Sequence, residues 1–131
     1  MKRFRFSKTE RLKSRKQIDA LFAEGKSVSV FPVRAVYRFS AATEPGLKAG
    51  VSASKRQFKK AVHRNRIKRL LREAYRLQKE EVLLKTNEAG LSGTIFFLYT
   101  GKDLPDFDTL KTAVGKCLHR LTKNIQRENA S

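Results

Sequence analysis

The chain has 131 residues, 40% of them hydrophobic, and a formal net charge of +18 from 30 Lys and Arg against 12 Asp and Glu. That length suits one domain with one core, and that hydrophobic content excludes a wholly disordered basic protein. One Cys excludes an intramolecular disulfide, two His are too few for a metal cluster, and no apolar run approaches the ~18 residues that span a bilayer.

The charge is localised. Residues 1–16 carry eight bases and one acid, Glu10, while residues 55–76 carry ten bases and one acid, Glu73. These segments hold net +7 and +9, leaving +2 for the rest of the chain. Charge so concentrated is directed at a polyanion, either nucleic acid or an anionic membrane. Nucleic acid is favoured, because each neutralised phosphate releases counterions and adds binding free energy. The basic N-terminus has no apolar segment after it and does not read as a secretory signal, so the cytoplasm is the expected compartment.

In chain order, residues 1–13 lack periodicity and read as an extended basic arm. Ser14 and Gln17 form an S-x-x-Q capping box that starts a helix, and Ile18, Leu21 and Phe22 share its face. Gly25 is placed to end it through the left-handed conformation that glycine tolerates. Residues 27–31 predict a short strand stopped by Pro32, at an edge or a bend. Residues 33–40 alternate Val33, Ala35, Tyr37 and Phe39 with Arg34, Val36 and Arg38, as a half-buried strand does. Glu44-Pro45-Gly46 supplies a turn, so residues 47–54 are expected to return antiparallel as the other half of a hairpin.

A long basic helix is predicted over residues 60–83, with Ile67, Leu70, Leu71, Ala74 and Tyr75 as its core stripe. After a polar stretch, residues 93–101 (GTIFFLYTG) are apolar on both faces, the pattern of a central strand in which Phe96 and Phe97 are core. Asp106 or Asp108 caps a last helix, where Leu110, Ala113, Val114, Cys117, Leu118, Leu121 and Ile125 keep the helical period. Residues 126–131 are expected to fray. The order α-β-β-β-α-β-α makes one α+β domain over residues 1–131, with helices packed on a four-stranded mixed sheet. The strands on either side of the basic helix run parallel if they are neighbours.

At ~100° per residue, Asn65, Arg69, Arg72 and Arg76 fall opposite the apolar stripe of the basic helix. Arg66 and Lys68 flank this row, and Arg64 lies nearer the apolar edge, where it reaches over the helix start or buttresses the fold. Guanidinium groups pair bidentately with phosphate oxygens, so such a row suits phosphate recognition. The bland reading is a solvated face, but solvated faces usually mix charge signs.

The same segment resembles a known family. Val51-Ser52-Ala53-Ser54-Lys55, followed by Lys60-Ala61-Val62-His63-Arg64-Asn65-Arg66-Ile67-Lys68-Arg69-Leu70-Leu71-Arg72-Glu73-Ala74-Tyr75-Arg76, is similar to the signature of the protein subunit of bacterial ribonuclease P. The length, basic N-terminus and element order agree as well. Arg56-Gln57-Phe58-Lys59 departs from the family, which more often has a shorter link containing Gly.

The resemblance implies a small protein bound to a large catalytic RNA, the two together removing the 5′ leader of precursor tRNA. It gives Arg64, Asn65, Arg66, Lys68, Arg69 and Arg72 the catalytic-RNA contact, with Lys60 and Arg76 at the ends of the motif. It places the single-stranded leader between the first helix and the sheet, at Ile18, Phe22, Tyr37, Ser52 and Lys55. Ile18 offers apolar contact where the family often has an aromatic. Magnesium, held mainly by RNA and substrate, is the implied cofactor, and a left-handed crossover through the basic helix is the implied topology.

Nothing in the sequence assembles a protein active site. Phosphodiester hydrolysis needs clustered carboxylates holding two metals, or a His pair for acid–base work. Asp103, Asp106 and Asp108 sit at a helix start, where capping explains them; His63 reads as a helix-start residue and Cys117 as a core thiol. Catalytic residues are therefore expected to be absent from this chain. From spacing alone, Phe22, Tyr37 and Phe39 read first as ordinary core, because aromatics that grip bases must be partly exposed. Composition alone would suit a ribosomal-type RNA-binding module equally well, and the R-N-R-x-K-R signature separates the two. No feature marks a protein partner or a membrane.

Overall fold

Strands β1 (Lys26–Val30), β2 (Val33–Ala41), β3 (Gly46–Ala53) and β4 (Leu91–Tyr99) form one sheet in the order β1-β2-β4-β3. They are seen in a computed structural model that describes residues 15–41 and 46–130. β1 pairs antiparallel with β2, β2 antiparallel with β4, and β3 parallel with β4. Helices α1 (Arg15–Glu24), α2 (Ala61–Gln78), α3 (Glu80–Glu88) and α4 (Phe107–Ala130) complete the fold. The arm over residues 1–13, the cap at Ser14, Glu44 and Pro45 of the turn, and Ser131 lie outside the described residues.

The expected hairpin between the second and third strands does not form, because β4 lies between them. Its composition explains this. Ile95 and Phe97 are fully buried on one face, and Phe96 is buried on the other with Leu98 half-buried beside it. Only a central strand covers both faces at once. β3, with exposed Lys48, takes the edge instead, and the parallel pairing expected across the basic helix is present.

The larger core lies on the face that carries Ala35, Tyr37, Ala49, Ile95 and Phe97, covered by α2, α3 and α4. On the other face α1 lies against β2, burying Leu21 with Val36 and Phe96. The sheet thus separates α1 from the basic helix α2.

Two helix ends and one cap differ from expectation. The basic helix ends at Gln78, and a separate helix, α3, follows after Lys79. Glu80 and Glu81 occupy the first turn of α3, where carboxylates complement the positive end of the helix dipole. Val82 and Thr86 form its buried stripe, so the stretch read as polar is helical, and Gly90 follows it at φ +66°. Gly25 does end α1, yet its φ is not positive. It is required by space: a Cβ there would meet the carbonyl oxygens of Leu21 at 2.4 Å and Tyr37 at 3.0 Å. α4 extends to Ala130, past the expected fraying point. Of the two acids proposed to cap it, Asp106 accepts a 2.7 Å bond from the Thr109 N–H through Oδ1. The bonds from Thr109 hold the Asp106 carboxyl below its ordinary pKa.

Candidate nucleic-acid interface

The basic helix has no side-chain cap. Lys60 is its extended N-cap residue, at φ −80° and ψ 126°, and makes no capping bond. The segment before it is organised otherwise. Phe58 is buried, and its ring meets Tyr99 at 5.8 Å between centroids. Arg64 Nη1 then donates to the carbonyls of Phe58 at 2.8 Å and Lys59 at 2.9 Å. The Arg56-Gln57-Phe58-Lys59 link is thereby pinned to the core at one residue and to the helix by Arg64. Of the two roles open to Arg64, reaching over the helix start is the one its geometry shows.

α2 buries Ile67, Leu71, Ala74 and Tyr75, with Leu70 only half-buried. Asn65, Arg66 and Arg69 are exposed on its outer side, Lys68 and Arg72 are half-exposed, and Lys60 and Lys55 are exposed before it. Arg76, at the far end of the row, is engaged by Glu73: its Nε donates to Glu73 Oε1 at 3.0 Å, and Nη2 bonds the same oxygen. The hydrogen bond that Arg76 donates to Glu73 raises the Arg76 pKa. The positive charge available to a polyanion therefore concentrates in the first half of α2, around Arg66 and Arg69. Among the described residues neither is bonded to an acid.

The residues expected to meet the leader are only partly brought together. Ile18 and Phe22 project from α1 onto the sheet, where the Phe22 ring packs edge-on against Phe96 at 5.6 Å and remains 42% exposed. Ser52 pairs with Leu98 and so shares that face, and Lys55 follows the end of β3. Tyr37 does not join them. It is 4% exposed on the opposite face, and its hydroxyl accepts a 2.8 Å bond from Asn124 Nδ2 on α4. Strand alternation alone dictates this: Tyr37 shares its side with Ala35 and Val33, while Val36 points toward α1.

Two residues that spacing did not single out also belong here. Val62, 67% exposed, and Leu104, 43% exposed, face a basin of about 500 Å³ with His63, Arg66, Arg69 and Leu70. An apolar residue inside the R-N-R segment, and another in the polar loop before α4, were the available signals.

The described residues bring together no group of three His, Cys, Asp or Glu side chains that could hold a metal ion. Cys117 is buried, which pushes its thiol pKa up and leaves it little thiolate character. No described helix is long and apolar enough to cross a membrane.

Comparison with known proteins decides between the enzyme subunit and the general RNA-binding module. The model of the family described as Ribonuclease P matches residues 6–122. A ribonuclease P protein component from Porphyromonas gingivalis is 42% identical over 123 residues, covering 93% of this chain and 90% of that protein. The chain belongs to the ribonuclease P protein family. A ribonuclease P protein component from Chlorobium phaeobacteroides is 31% identical over 125 residues, covering 87% of this chain and 86% of that protein. Solved ribonuclease P proteins share the fold. That of Staphylococcus aureus superposes with a TM-score of 0.67 at 19% identity, over 86% of this chain and 94% of that one. That of Thermotoga maritima gives 0.65 at 24% identity, over 85% and 96%. A ribonuclease P protein works with an RNA subunit in tRNA 5′-end processing, the RNA carrying the catalysis. An RNA partner accounts for Arg66 and Arg69, the α2 cations that no acid neutralises among the described residues.

Proposed function

We propose that the first half of α2 binds the catalytic RNA and that the sheet face beside α1 holds the 5′ leader of precursor tRNA. The observation that carries this reading is the placement of two unlike surfaces on opposite sides of one sheet. Lys60, Asn65, Arg66, Lys68 and Arg69 present exposed or half-exposed donors along one helix, as suits a phosphate backbone. Ile18, Phe22 and Leu98 present partly covered apolar surface with Ser52 and Lys55 at its margin, as suits unpaired bases. Arg64 supports the first surface by fixing the helix start, while Arg72 and Arg76 extend it.

Magnesium belongs to the RNAs in this account. The described side chains form no acidic cluster for it, so the protein contributes cations that reduce repulsion between two polyanions. A protein working on newly transcribed tRNA would reside in the bacterial cytoplasm.

The leader assignment is tested by comparing precursor and mature tRNA affinities of the reconstituted holoenzyme. Phe22→Ala is expected to narrow the preference for precursor about tenfold, from a stacking contribution of ~1–3 kcal/mol per base. Tyr37→Phe removes the hydroxyl bonded to Asn124, on the other side of the sheet. It should leave the preference intact while lowering stability by ~1 kcal/mol. An unchanged preference in Phe22→Ala would remove the leader from this face.

A further inference from the structure

The basin beside α2 has a construction that phosphate binding alone does not require. Its polar rim is Arg66 and Arg69 with half-buried His63, and its apolar wall is Val62, half-buried Leu70 and Leu104. Val62, within the most basic segment of the chain, and Leu104 beside it leave aliphatic surface facing solvent. Burying it in the core would be the ordinary outcome, since apolar exposure has a free-energy cost.

Both walls are fixed in advance. The loop that carries Leu104 is held at its root, where the Tyr99 hydroxyl donates to the Asp103 carbonyl at 2.6 Å and Gly101 is buried against the Tyr99 ring. The Thr100 N–H donates to the Pro32 carbonyl at 2.8 Å, and Pro105 is buried on the other side of Leu104. The opposite wall, the first turn of α2, is held by Arg64 on Phe58 and Lys59. Phe58 and Tyr99 meet ring to ring, so one aromatic contact ties the two walls together. A preformed concavity of about 500 Å³ falls within the ~300–1,000 Å³ of small-molecule sites.

We infer that this basin receives one unstacked nucleotide of the catalytic RNA, its base against Val62, Leu70 and Leu104 and its phosphate on Arg66 and Arg69. The inference rests on the proposal that α2 faces that RNA and adds the mode of recognition. A regular RNA duplex offers phosphates but no free base face, whereas loops and bulges present splayed bases that lie on apolar surfaces or guanidinium planes. The charge of the rim selects an anionic ligand over an apolar peptide. The wall beside that rim selects an anion with a flat, poorly hydrated part. A nucleotide has both.

The chain has no Trp, so Leu104→Trp gives a single reporter at the exposed wall of the basin. Leu84→Trp, at an exposed position of α3 outside the basin, is the control. Catalytic RNA binding is followed in parallel by filter retention and by emission. Quenching of Leu104→Trp with unchanged emission from Leu84→Trp is expected. The double variant Val62→Ser/Leu104→Ser should lose about tenfold in RNA affinity with no change in the salt dependence, because a base contact and no phosphate contact has been removed. RNA retained without selective quenching, or a double variant that binds with full affinity, overturns the inference and leaves the α2 assignment standing. Failure of the RNA to bind the unaltered protein overturns both.

Discussion

Replacing Arg66 and Arg69 together by Ala is expected to weaken binding of the catalytic RNA by roughly 20-fold near ~0.15 M salt, with the slope of log K against log salt falling by ~1.4–1.8. The magnitude follows from counterion release. Each neutralised phosphate contributes ~0.7–0.9 to that slope, hence ~0.6–0.7 of a decade in affinity between ~0.15 M and ~1 M salt. Two contacts give somewhat more than a decade. Stability should not change, since both side chains are exposed and neither is bonded to an acid among the described residues. Arg76→Ala should alter the slope less, because Glu73 already offsets its charge. Affinity titrations across a salt series check both statements, and equal effects from Arg76 and Arg69 would refute the polarity assigned to α2.

The second large effect concerns the core that positions both surfaces. Phe97→Ala is expected to cost ~3–5 kcal/mol, a large part of the ~5–15 kcal/mol by which domains are stable. Phe97 is fully buried in the central strand, paired with Ala35 on one side and Val51 on the other. Its ring lies 5.6 Å from that of Tyr75, which α2 contributes to the same core. Ala35, its partner in β2, is too small to fill the vacated volume. Because Phe97 is the floor under α2, its loss should also loosen the basic helix. Thermal melting of the protein without RNA should show a drop in Tm on the order of 10–20 °C. A shift of only a few degrees would mean that α2 is seated by other contacts.

Much of this was legible in the chain itself because two periodicities carry it. The alternation over β2 fixed which side chains share a face, and the stripe Ile67, Leu71, Ala74, Tyr75 fixed which side of α2 is buried. The doubly apolar run of β4 announced a central strand, yet the turn at Glu44-Pro45-Gly46 suggested a hairpin partner for β2. Local turn chemistry cannot report that a strand 40-odd residues later will intervene, since pairing is decided by which strand needs cover on both faces. Helix α3 was hidden because its buried residues are Val82 and Thr86, with Leu83 half-buried, among charged neighbours, too short a stripe for periodicity to register.

The site divides in the same way. Exposure of Asn65, Arg66 and Arg69 follows from angular position on one helix, and so was readable. Tyr37 followed the family pattern into the leader group, although its own strand alternation placed it beneath α4. The basin left only two isolated apolar residues as its trace in the sequence. Val62 and Leu104 lie 42 residues apart, and the Phe58–Tyr99 contact and the tether from Tyr99 to Asp103 help to bring their walls together.

In the proposed function this chain positions two RNAs and leaves the cutting to one of them. Cleavage of precursor tRNA at low magnesium, measured with the catalytic RNA alone, this protein alone and the two combined, tests that most directly. The combination should cleave rapidly at the 5′ end of the mature tRNA, the RNA alone slowly, and the protein alone not at all. Cleavage by the protein alone, or no stimulation of the RNA, would contradict it.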